Sequence, residues 1–142
     1  MNERQRFASL VFASQLGIMD KRQVISEADQ RIAEIERPEH WLIEVAIDGN
    51  STELGRLIDD ADDAVYEEVL RLAFRAWYDG KISDERFVAC CETLWKKAGY
   101  GSRWYTGLVW IYDEFDLVAQ GVFRREDSVK KVRDAVAKIL QG

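Results

Sequence analysis

The sequence predicts an all-α protein, a single domain over residues 1–142 built as a bundle of six or seven helices. Three observations carry that expectation. Apolar residues recur at helical spacing along nearly the whole chain. Glycines and cap-forming residues fall between those apolar runs, where helices end and begin. With 47% hydrophobic and 32% charged residues and a single proline, the composition is that of an ordinary globular domain and not of a disordered chain. A chain of this length buries roughly 68–70% of its unfolded surface, so it needs neither disulfides nor metal for stability.

The first helix is expected from about Glu3 to Leu16, with Phe7, Leu10, Val11 and Ser14 on one side and Ala8, Phe12 and Leu16 beside them. Gly17 supplies the left-handed residue that commonly ends a helix. Asp20 then caps a second helix, with Gln23 placed to close a capping box, and Val24, Ala28, Ile32 and Ile35 form its buried stripe. Pro38 breaks that helix and opens a short one, Glu39 to Ile47, carrying Trp41, Leu42, Val45 and Ala46. After the turn Asp48-Gly49-Asn50, Asn50 and Glu53 read as a capping pair for a short helix with Leu54, Leu57 and Ile58.

A long helix follows from about Ala61 to Asp79, with Asp60 as its cap and Gly80 as its end. Val65, Val69, Leu72 and Ala76 make one apolar stripe and Tyr66, Leu70, Ala73 and Trp77 a second, so this helix is expected to pack on two sides. Ser83 caps the next, with Phe87, Cys91, Leu94 and Trp95 facing inward, and Gly99-Tyr100-Gly101 is a loop. Between Trp104 and Val118 the apolar spacing is helical, yet Leu108-Val109-Trp110-Ile111-Tyr112 has the composition of a buried strand. A lone strand has nothing to pair with, which favours helix. The last helix, about Ser128 to Leu140, is capped by Asp127 and presents Val129, Val132, Val136 and Ile139/Leu140.

One internal echo stands out. Gly17 through Ile25 lines up with Gly80 through Val88, each reading as helix, glycine, two linking residues, cap and new helix. Convergent corner chemistry and duplication both account for it.

Charge is distributed unevenly. From Asp48 to Glu68 there are eight acids and one base, Arg56, a net −7 where the whole chain carries −6. Acids in a first helical turn suit the macrodipole, and Glu67 or Glu68 can pair with Arg71, so part of the cluster has structural reasons. Asp48, Glu53 and Asp59 do not. Charges this dense lie within a Debye length of about 8 Å and repel unless solvated or met by a cationic partner. Asp59, Asp60, Asp62, Asp63 and Glu67 are therefore candidate partner-binding residues.

Asp59-Asp60-Ala61-Asp62-Asp63 contains the DDxxD string that prenyl-transferring enzymes use for Mg²⁺, but those enzymes need a much larger helical barrel. The spacing is not that of a calcium loop either. No metal site and no cofactor is expected. His40 is the only imidazole; it sits one turn before Glu44 and has no visible nucleophile to serve. Cys90 and Cys91 are adjacent and read as small apolar residues in a reducing compartment, so the expected address is the cytoplasm. No apolar run approaches the ~20 residues that span a bilayer. A pI near 4.9 argues against nucleic acid, despite a modestly basic strip near the carboxy terminus. In a helical reading of 104–118, Trp110 lies opposite the core, flanked by Asp113 and Glu114, the composition of an interface anchor.

Leu16-Gly17-Ile18-Met19-Asp20, Val24 to Asp29 with Ile32, then Pro38 and Trp41-Leu42-Ile43-Glu44 resemble small all-helical bacterial immunity proteins, the kind found beside secreted toxins. The likeness covers about the first third of the chain. It implies a cytoplasmic protein that neutralises a toxin by tight binding, with no catalytic residues to carry over; the acidic segment adds the expectation that the toxin is basic, such as a nuclease. The alternatives from the residues are a homodimeric adaptor using the Trp110 face and, behind it, a Mg²⁺-dependent helical enzyme using Asp59, Asp60 and Asp63.

Overall fold

The structure, a computed structural model, describes residues 1–141. Among them are nine helices and no strand: α1 (Glu3–Gln15), α2 (Lys21–Glu34), α3 (His40–Asp48), α4 (Thr52–Asp59), α5 (Asp63–Tyr78), α6 (Asp84–Ala98), α7 (Arg103–Leu108), α8 (Ile111–Ala119) and α9 (Arg125–Gln141). The all-α class is as the apolar spacing predicts. The number of helices exceeds six or seven, in part because 104–118 is two helices, α7 and α8, broken at Val109-Trp110. Contacts cluster into two compact units, one ending at Leu72 and the other starting at Ala73, so the division falls inside α5.

In the first unit α2 packs along α3, and α1 packs on α4 and α2. Phe7, Val11 and Phe12 of α1 are buried with Val24 and Ala28 of α2, Trp41, Leu42 and Val45 of α3, and Leu54 and Ile58 of α4. The rings of Phe7 and Trp41 lie 5.7 Å apart, those of Phe12 and Tyr66 5.5 Å. Each such side chain contributes about 1.5–3 kcal/mol on burial. Asn2 caps α1 in a reciprocal box: its carboxamide accepts from the Gln5 N–H at 2.8 Å, and its own N–H donates to Gln5 Oε1 at 2.9 Å.

In the second unit α6 packs on α7 and α8, and α9 on α8 and α7. Trp77 stacks on Phe87 at 4.5 Å and 10°, and Phe115 meets Trp77 edge-on at 5.7 Å. Gly107 lets α7 approach α9, since a Cβ there would lie 2.6 Å from Ile139 Cδ1.

Most expected boundaries hold to within two residues; the differences are the caps of α4 and α5 and the start of α9. Asp60 does not cap α5: it ends α4, and Asp62 takes the capping role by accepting from the Val65 N–H at 3.1 Å. Asn50 does not cap α4 either. Ser51 holds that position, and Asn50 Oδ1 accepts from the Ser51 N–H instead. Asp20 caps α2 through the Arg22 N–H. α9 begins at Arg125, before the expected start, which leaves Asp127 in its first turn. The two stripes of α5 are as expected except for Leu72, which is half-buried.

The internal echo extends past the corner itself. Gly17 and Gly80 both have φ +76, and each corner is closed by the same bonds, Ile18 N–H to Ala13 O at 3.0 Å and Lys81 N–H to Ala76 O at 2.8 Å. The starts of α2 and α6 (21 and 84) and of α3 and α7 (40 and 103) keep the spacing of those glycines, as do the buried Trp41 and Trp104. The corner alone is common chemistry, for Ala61 and Gly121 close α4 and α8 in the same way.

Candidate partner-binding surfaces

The acidic corner is built by α4, a short turn and the start of α5. Ala61 sits at φ +53, where the other corners of this type place glycine. For an L-residue this conformation costs on the order of 1 kcal/mol, so the surroundings must hold it. Asp62 does so twice, capping α5 and accepting from Gln5 Nε2 at 3.2 and 3.3 Å. Tyr66 does so from beneath, its hydroxyl donating to the Ile58 carbonyl at 2.7 Å. Burial, with the nearby Asp59 charge adding to it, pushes the Tyr66 phenol up to about 12.

The eight acids of the segment separate by role. Glu53 reaches Arg4, 3.4 Å away, which also bonds Glu39 at 2.6 Å. Glu68 pairs with Arg71 at 2.6 Å and Asp62 is held as described. Glu67 is half-buried. Asp48, Asp59, Asp60 and Asp63 are exposed. Pairing of Glu53 with a residue of α1 had no sequence signal, because Arg4 and Glu53 are remote in the chain.

The second candidate surface is rearranged. Trp110 is half-buried at the break between α7 and α8, and its indole N–H donates to the Gly107 carbonyl at 2.8 Å. The Lys131 ammonium lies 5.3 Å over the ring. Glu114, expected outside, is 7% exposed. Its carboxylate accepts from the Ser128 hydroxyl at 2.9 Å and from Lys131 at 3.2 Å. Asp113 remains exposed, as does its neighbour Tyr112. Glu114 lies three residues after the buried Ile111 and next to the buried Phe115, at the edge of the face that α8 buries.

His40 is exposed, with Nε2 3.9 Å from Glu44 Oε1. Cys90 and Cys91 are buried thiols, and burial pushes Cys90 up to about 11 and Cys91 higher. Among the described residues no three His, Cys, Asp or Glu side chains gather as a metal site. No helix among them is long and apolar enough to cross a membrane. Comparison of the chain with protein-family models, curated proteins and solved structures finds no match.

Proposed function

We propose that this chain is a non-catalytic binding protein, an immunity-type inhibitor that takes a basic toxin such as a nuclease on the acidic corner between α4 and α5. The observation that supports it is the exposure of Asp59, Asp60 and Asp63 on backbone held by Asp62, Gln5 and Tyr66. Carboxylates mounted this way mimic phosphate charge at little ordering cost on binding. They would steer a cationic partner in and cover its active site. The adaptor alternative draws no support from Trp110, whose N–H is bonded within the chain.

The test is the association rate with a candidate basic toxin, measured against ionic strength. The rate should fall steeply with salt, and Asp59→Asn/Asp60→Asn/Asp63→Asn should lower it by about tenfold or more at low salt. A rate independent of both salt and these substitutions would sink the proposal.

A further inference from the structure

A groove of about 410 Å³ runs between α6 and α8 in the second unit. Its α6 wall extends from Asp84 to Glu92 and its α8 wall from Tyr112 to Ala119. At 1.5 Å per residue these walls are about 12 and 10 Å long, or roughly two helical turns. Val88, Phe115 and Val118 contribute apolar floor. The rim is of one sign: Asp84, Glu85 and Glu92 on α6, Asp116 on α8, and no base among the lining residues.

Two of these carboxylates are partly committed. Asp84 accepts from Trp77 Nε1 at 2.8 Å and pairs with Arg125 at 2.9 Å, and Glu92 pairs with Lys96 at 2.6 Å. Glu85 and Asp116 are exposed, one on each wall, and Asp116 meets a neutral carboxamide, Gln120, at 2.8 Å. Tyr112, 57% exposed, stands at the α8 wall beside the exposed Asp113. An aromatic at the edge of an apolar patch with a charged rim is the composition of a protein interface.

We propose that this groove docks an amphipathic helix of a protein partner, with apolar side chains on the floor and lysines or arginines toward Glu85 and Asp116. Charge complementarity selects the partner, since an acidic or neutral helix would leave the rim carboxylates facing no counter-charge. The two-turn length fits apolar anchors at i, i+3 or i+4, and i+7. This goes beyond toxin capture at the acidic corner and uses none of its residues.

The test titrates the full chain into a labelled helical peptide with leucines at those spacings flanked by lysines, and into an isomer with glutamates in their place. The lysine peptide should bind saturably and one-to-one. Affinity should fall roughly tenfold with Val88→Glu and comparably with Glu85→Lys/Asp116→Lys, both on accessible positions. Asp59→Asn/Asp60→Asn/Asp63→Asn should leave it unchanged, so this result and the toxin assay fail independently. Absence of saturable binding, equal binding of the glutamate isomer, or loss only in the Asp59/Asp60/Asp63 variant would overturn the assignment. So would self-association, measured by light scattering, that Val88→Glu abolishes, for then the occupant is a second copy.

Discussion

The Ser128 hydroxyl donates to Glu114 Oε1 at 2.9 Å, and both residues are buried. A carboxylate in that setting must be bonded, and the hydroxyl with Lys131 supplies its partners. Ser128→Ala removes one and leaves a buried acceptor atom without it. The expected loss is about 1–3 kcal/mol, read as a lower urea midpoint at unchanged m. An unchanged midpoint would mean that water takes the place of the hydroxyl.

Asp62 and Asp60 are neighbours in sequence with different jobs, so alanine should separate them. Asp62→Ala removes the α5 cap and the Gln5 contact and should cost about 1–2 kcal/mol. Asp60→Ala touches only an exposed carboxylate and should stay within about 0.5 kcal/mol. Equal losses in chemical denaturation would contradict the capping assignment.

Tyr66 ties stability to alkaline pH. Its phenol is raised in the folded state to about 12, from the usual value near 10. Both states hold the proton below pH 10, so the full stability is present there. Above pH 10 the unfolded chain ionises first, and stability falls until the folded phenol also ionises near pH 12. The loss over that window is about 3 kcal/mol at most. Tyr66→Phe should flatten this part of the stability–pH curve. It should also cost about 1 kcal/mol at neutral pH, through the lost bond to Ile58.

The cysteines report on opening. Both thiols are buried and both are raised well above the ordinary thiol range. Neither should react with a thiol reagent at pH 7 in the native state, while both should react in guanidinium chloride. Rapid native labelling would show that α6 detaches readily.

Much of the architecture is legible in the residues. The double stripe on α5 appears as buried Val65, Val69 and Ala76 beside Tyr66, Leu70, Ala73 and Trp77, because helical periodicity is a local property. The corner at Gly17 and its echo at Gly80 are equally local, since a left-handed residue followed by a cap is written in a few adjacent positions. The caps of α4 and α5 lie one and two residues beyond the side chains that the sequence favours. Several acids and amides compete at each start, and only the final backbone geometry decides which side chain reaches an N–H.

By itself, then, the sequence determined the helical class, the helix corners and the concentration of acid from Asp48 to Glu68. The tertiary structure decided which charges are available. It paired Glu53 with Arg4, spent Asp62 on Val65 and Gln5, and drew Glu114 in to Ser128. It also broke the 104–118 segment at Trp110 and opened an acid-rimmed groove between α6 and α8. The reason is physical: periodicity and capping act over a turn or two of chain. Ion pairing, burial of a carboxylate and the width of a groove depend on residues that only packing brings together.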